Sequence, residues 1–451
     1  MSTELRTAFR RNPRDRAIVV LALPALGTLA IDPVVTIVDT AWVGRLGTAQ
    51  LAALAIAGAV FAAVFSVFNF VQVTITPLIA GEVARGKLGK AGRIATGSMW
   101  IAVALGAGLG FVFIALTPAI TNLFGADPTV GSEAMVYLRI RFVSLPLLLL
   151  TTVGHGVYRG HQNTTTPLWV AVGMNIVNLI LDPLLIFGLG LGIAGAAWAT
   201  VIAHATAAVW FLVLILGVDR VKLGVGLLRG KLESLPVGDV LHAGWPMIVR
   251  SLALLGAITA TTFAASRIGT AETAAHQVAL QVWLFLAFVL DSYAIAAQAM
   301  IGSDFGTRNI AAARSLANRL LALGVITGIG LSVMLVISAP LLPILFDLQP
   351  AVESLLSDIY IFVIVLQPLT ALVYVWDGVG IGASAFRYLA VSMVVAGIAT
   401  VICLVAFGDS LVGVWASLGV LTLVRLFALA GWHRWGPLGV VRDPSPASRG
   451  A

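Results

Sequence analysis

Charge is what this sequence has least of. Only 10% of its 451 residues are Asp, Glu, Lys or Arg, against roughly 25% in a soluble domain. With 59% of the chain hydrophobic and a mean hydropathy of +1.02, no soluble core of this size could hide the apolar surface, which excludes a water-soluble globular protein. Cysteine is almost absent. The single Cys403 excludes an internal disulfide and a cysteine metal centre, leaving packing as its role. His155, His204, His242 and His276 lack metal-ligand spacing, so neither a metal nor a catalytic site is expected, and no cofactor beyond a coupling ion. There is no "GxxxxGK[ST]" sequence to couple the chain to ATP, and no loop long enough for a soluble catalytic domain. A cleavable signal peptide is not expected either. Five arginines stand in the first 16 residues, and the apolar segment behind them is too long for a signal core.

What the chain has instead is long apolar runs. A membrane-spanning helix needs roughly 20 apolar residues, and such runs predict helices near 17–43, 51–80, 94–116, 131–155, 167–188, 193–217, 240–265, 272–300, 314–338, 353–378, 388–407 and 411–433. The runs are continuous and do not alternate, which excludes a β-barrel. The expectation is an all-α integral membrane protein with twelve transmembrane helices and the lipid bilayer as its solvent. The net charge of +7 does not mark a nucleic-acid binder, because of where it lies. Arg6, Arg10, Arg11, Arg14 and Arg16, then Arg85, Lys87, Lys90 and Arg93, then Arg220, Lys222, Arg229 and Lys231, then Arg308 and Arg314, then Arg434, Arg442 and Arg449 all fall on one side if the helices alternate. The opposite loops hold Asp127, Glu133, Asp347, Glu353 and Asp409, with Arg45 and Arg267 as the main basic exceptions. This positive-inside pattern places both termini in the cytoplasm. Arg139 and Arg141, beside Glu133, are expected to snorkel to the outer interface.

The chain repeats itself. "RLGTAQLAALAI" at 45–56 and "RIGTAETAAHQV" at 267–278 agree at six of twelve positions. The offset from Arg45 to Arg267 is 222, and it also carries Pro24 onto Pro246. Gly81 and Arg93 meet Gly302 and Arg314 at 221. Two copies of a six-helix unit are therefore expected, in parallel because six is even. The organisation is a tail at 1–16, a first lobe at 17–217, a basic cytoplasmic linker at 218–239, a second lobe at 240–435 and a tail at 436–451.

An ionisable side chain at bilayer depth costs roughly 2.5–3.5 kcal/mol on insertion scales, so its presence there marks function or a partner. Asp32 and Asp39 lie two turns apart on one helix face, with Thr36 between them, and Pro33 removes a backbone hydrogen bond beside Asp32. Helix 5 carries Asn175, Asn178 and Asp182, the last two spaced i,i+4, and Pro183 again follows the acid. Asp39, Asp182 and Thr200 sit at one depth on helices 1, 5 and 6, which predicts a shared site. The offset of 222 pairs Asp39 with Thr261, so the acid site belongs to the first half. The second half has Arg250, Asp291, Asp377 and Arg425, read either as interhelical ion pairs or, for Asp291 and Asp377, as groups lining a substrate cavity with Arg250.

Together "ALP" (22–24), "VDTAWVGRLG" (38–47), "VYRG" (157–160), "LDPLLIFGLGLGIAGAAWAT" (181–200) and "DSYAIAAQAMIG" (291–302) resemble the multidrug and toxic compound extrusion (MATE) family, in its DinF-like branch. The resemblance implies two six-helix bundles in a V-shaped arrangement, exporting drugs or other small organic compounds in exchange for H⁺ or Na⁺. It implies that Asp39, Asp182, Asn178 and Thr200 form the ion site of the first lobe. Asp32, Thr36 and Asn175 are, on the residues themselves, candidates for the substrate cavity, and Asp32 beside Pro33 is read either as pinning the kink or as extending the proton path inward. The tyrosine that some relatives carry shortly before the first aspartate is Val35 here, and the helix 7 glutamate of the Na⁺-coupled NorM-like branch is missing from "GWPMIVRSLALL". H⁺ is then the expected coupling ion and Na⁺ the alternative. Other readings of the same scaffold are export of citrate-like anions or lipid-linked substrates, and a non-transporting receptor or channel is a further rival. The expected setting is a bacterial plasma membrane, with no obligate protein partner.

Overall fold

The computed structural model describes residues 12–124, 127–226 and 237–439. Most of the two expected tails, the centre of the expected linker, and the residues Arg6, Arg10, Arg11, Arg229, Lys231, Arg442 and Arg449 lie outside it. The described residues contain helices and no strand. They make twelve spans once the two pieces of a bent one are joined. These are α1 Asp15–Gly44, α2 Thr48–Ala84, α3 Leu88–Leu123, α4 Pro128–Val143 with Leu145–Gly160, α5 Thr165–Gly188, α6 Ile193–Val218, α7 Gly238–Ile268, α8 Thr270–Gly306, α9 Ile310–Leu345, α10 Pro350–Gly382, α11 Phe386–Phe407 and α12 Leu411–Trp435. Every expected run lies inside one of them. Large apolar side chains stay uncovered: Phe111, Leu123, Ile344 and Val405 are all more than three-quarters exposed. Helices that are apolar on their outer faces as well suit hydrocarbon as solvent.

The sequence reading of 131–155 as one continuous helix is corrected. α4 bends by 49° between Val143 and Leu145. Pro146 has no N–H to give to the preceding turn, so the ladder breaks there. The break is met by α3 at two glycines one turn apart. A Cβ on Gly106 would stand 2.5 Å from the Pro146 Cα, and one on Gly110 2.8 Å from the Phe142 carbonyl oxygen. Gly106→Ala is therefore expected to destabilise the protein by about 1–3 kcal/mol, the cost of overpacking against backbone that cannot swing away. Thermal unfolding in detergent, with Gly108→Ala as the neighbour whose Cβ meets nothing, checks this.

The contacts gather into two compact units. One comprises Val20–Ile248 and is centred on Val43, Ala57, Phe61, Leu138, Phe142 and Ile193. The other comprises Val249–Ala451 with Met1–Val19, in their described parts, and its core includes Leu286, Tyr360, Val363, Trp415 and Leu418. In this second unit the first turn of α1 is fixed by charge. Arg319 donates from Nε and Nη2 to the two carboxylate oxygens of Asp15, at 2.7 Å each, and Arg14 pairs with Asp304 at 2.9 Å.

Candidate functional site

The first unit aligns α1 and α5 in parallel register. Leu168 of α5 fills the space beside Gly27 of α1. Further along, Asn175 Nδ2 donates to Asp32 Oδ1 at 2.9 Å, and its partner lies 143 positions away. The same offset carries Asp39 onto Asp182, and these two carboxyl groups stand within hydrogen-bond reach of each other. Seven residues separate the rungs on each helix, about 10 Å at 1.5 Å per residue. Past Pro183 the backbone of α5 loosens into a π-turn over Leu184–Gly188, as expected where proline removes a rung of the ladder.

The two rungs differ. Asp32 is exposed and its rung is complete. Thr36 turns its hydroxyl to the carbonyl of Asp32 at 2.9 Å, so it serves α1 itself. Asp182 is 1% exposed, and neither of its carboxylate oxygens nor Asp39 Oδ1 has a donor. A carboxylate only accepts, so two of them face to face cannot satisfy each other and call for a proton, a cation or another donor between them. Asn178, one turn before Asp182, donates to the Thr200 hydroxyl of α6 at 3.5 Å. That hydroxyl itself donates to the Ala196 carbonyl. The structure thus brings Asp39, Asp182, Asn178 and Thr200 together, and sets Asp32 with Asn175 two turns away.

Three further side chains join the group that sequence reading passed over. Tyr137 of α4, 8% exposed, reaches the Thr200 hydroxyl. One turn on, Arg141 lays its guanidinium over the Phe61 ring at 4.5 Å and brings Nη1 to 3.3 Å from His204 Nδ1. His204 Nδ1 is also 2.8 Å from the Thr200 carbonyl oxygen. The expectation that Arg139 and Arg141 both snorkel outward is corrected for Arg141. Residues two apart point about 200° apart on a helix, so one faces out when the other faces in. Arg139 is exposed and Arg141 is not. The i,i+4 spacing of Tyr137 and Arg141 was the available signal. Toward the helix ends, Trp42 packs on Phe187 with ring centroids 6.1 Å apart. A cavity of about 230 Å³ lies near the same end of the unit, lined by residues including Gln50 and Glu133, and Gln50 Nε2 donates to Glu133 Oε1 at 2.9 Å.

The second unit buries its charges differently. Asp377 of α10 accepts from Arg250 of α7 at 2.6 Å and from Arg425 of α12. The Arg425 guanidinium also lies 6.0 Å from the Tyr374 ring. Asp291 of α8 faces Arg250 and Tyr374 electrostatically. Among the described residues, no group of three His, Cys, Asp or Glu side chains is placed to hold a metal ion.

Fold and site define a polytopic helical membrane protein with an acidic polar site inside one half. A MatE family model matches the chain twice, over residues 24–184 and 246–407. The two matches begin 222 positions apart, at the offset the internal repeat shows. The chain is 34% identical over 439 residues to Protein DETOXIFICATION 44, chloroplastic, of Arabidopsis thaliana, covering 93% of this chain and 82% of that protein. It is 27% identical over 440 residues to DNA damage-inducible protein F of Escherichia coli, with 93% and 92% covered. Among solved structures, an outward-facing multidrug resistance MATE family transporter superposes with a TM-score of 0.83 at 20% identity, over 96% of this chain and 98% of the other. The chain belongs to the MatE family, whose members are transporters and not enzymes. It is a multi-pass membrane protein. With chloroplastic proteins among its relatives, they lend no support to a bacterial plasma membrane as its location.

Proposed function

We propose that this chain is a proton-coupled secondary antiporter that exports small organic compounds, drugs among them, by alternating access, with Asp39 and Asp182 as the coupling carboxylates and Asn178 and Thr200 as their polar neighbours. One observation carries the reading: the buried carboxyl group of Asp182 and the half-buried one of Asp39, on different helices, face each other, and neither oxygen of Asp182 nor Asp39 Oδ1 has a donor. Such a pair has a standing demand for a cation, and a transporter can meet it on one side of the membrane and release it on the other. Protonation from outside neutralises the pair and favours the state that lets substrate go outward. Deprotonation toward the cytoplasm restores the state that binds it. Coupling of this kind requires only that the proton bind the two states with different affinity. The proton is favoured over Na⁺ because the stretch of the second unit where the NorM-like branch has its glutamate offers no acid. Its one charge there, Arg250, is tied to Asp377. The loop charges orient both termini to the cytoplasm.

Full-length protein in proteoliposomes loaded with ethidium tests this. An imposed pH gradient, acid on the side that receives the dye, is expected to drive ethidium movement without Na⁺. Citrate in place of ethidium probes the organic-anion alternative. Ethidium flux that follows a Na⁺ gradient and ignores the pH gradient would overturn the proposal.

A further inference from the structure

We propose that Arg141 is the fixed counter-cation of the Asp39–Asp182 pair, and that it limits the pair to one exchangeable monovalent cation per transport cycle. The inference rests on the reading of that pair as the coupling site and adds a residue and a stoichiometry to it. Arg141 belongs to the site by geometry. It follows Tyr137 by one turn on α4, and Tyr137 reaches Thr200. Its Nη1 stands 3.3 Å from His204, which lies one turn beyond Thr200 on α6. Its Nε is buried with no hydrogen-bond partner. The guanidinium is close enough to act electrostatically on both carboxyl groups.

Groups on every neighbouring element frame the charge. α1 presents Asp39 and α5 presents Asp182. α6 presents His204, and α4 itself presents Tyr137 and, two turns before Arg141, Glu133. α2 contributes the Phe61 ring under the guanidinium, and α3 the Phe113 ring stacked on Phe142. Glu133 is engaged by Gln50 of α2 at 2.9 Å and stands two turns from the guanidinium, outside the pair. At the pair itself, two carboxylates and one guanidinium leave a single negative charge, with Tyr137 and His204 counted as neutral. One proton cancels it. A second proton would leave the guanidinium uncompensated in a site walled by aromatic rings, which burial disfavours. Arginine suits the task because it does not deprotonate in proteins, so its charge is constant through the cycle. It contributes as a positioning residue, by fixing how much charge the carboxylates must gather from outside.

The test reads carboxyl protonation directly. Infrared titration of the purified full chain in lipid nanodiscs follows the carboxylic acid C=O band from alkaline to acid pH. Asp39→Asn and Asp182→Asn identify the part of the band that belongs to the pair. The native chain is expected to show one protonated carboxyl from the pair. Arg141→Gln is expected to double that amplitude, and Arg141→Lys to restore it to one. An unchanged amplitude in Arg141→Gln protein that still elutes as a folded species overturns this inference and leaves the coupling reading intact. A band that neither asparagine variant alters overturns the coupling reading itself. If Arg141→Gln fails to fold, Arg141→Lys and the number of protons exchanged per ethidium in native proteoliposomes still decide. One proton supports the inference, and two overturn it.

Discussion

Asp182→Asn is expected to abolish pH-driven export while leaving the protein folded. The substitution keeps the shape of the side chain and supplies an N–H where the carboxylate could only accept. The new amide can donate from its Nδ2 to Asp39, whose Oδ1 has no donor in the native chain, so the variant holds permanently the arrangement that a shared proton gives transiently. The proton then gains nothing from one state over the other, and the coupling free energy disappears. Couplings between sites are typically worth a factor of roughly 5–150, and a loss of that size in pH-driven ethidium flux is the expected measurement. Exchange of labelled for unlabelled ethidium with no gradient should persist, because it needs no proton. Asp39→Asn should behave alike. Asp32→Asn should lose far less, since Asp32 is exposed and its partner is an amide. Full pH-driven export in both the Asp39 and Asp182 variants would sink the model.

The second large effect is on stability. Asp377 is 5% exposed and takes hydrogen bonds from two arginines on two other helices. Removing one member of a buried charge group leaves the others uncompensated, at a cost of about 3–5 kcal/mol. Asp377→Ala is therefore expected to lower thermal stability sharply in detergent, whereas the same change at exposed Asp409 should do little. The outcome also decides between the two readings of the second-half charges. An Asp377→Ala protein that unfolds like the native chain but loses ethidium transport would make Asp377 a group that lines a substrate path.

Some of the site could be read along the chain and some could not. The face shared by Asp32, Thr36 and Asp39 follows from 3.6 residues per turn, and so does the placing of Asn178 and Asp182 on one face of α5; that Asn178 turns to Thr200 rather than to Asp182 does not. Thr36 shows the limit of such reading. It lies on the right face, yet its hydroxyl is spent on its own helix at the Asp32 carbonyl. For Arg141 the same periodicity states that it and Arg139 point apart, but not which of them turns inward. That depends on α2 and α6, whose Phe61 and His204 receive the guanidinium.

By itself the sequence determined the twelve spans, the duplication and the confinement of the acid pair to the first half. Span length depends on local apolar runs set against bilayer thickness, and a repeat is visible as an offset. The shared register that sets Asp39 on Asp182 and the closure of Asp377 by two arginines were decided by tertiary structure alone, and at Pro146, where the missing N–H is legible in the sequence, the room for a 49° bend was. Each depends on which helices lie side by side and at what height, and that is settled by the packing of residues roughly fifty to a hundred and forty positions apart, or, at Pro146, by the glycines of a neighbouring helix.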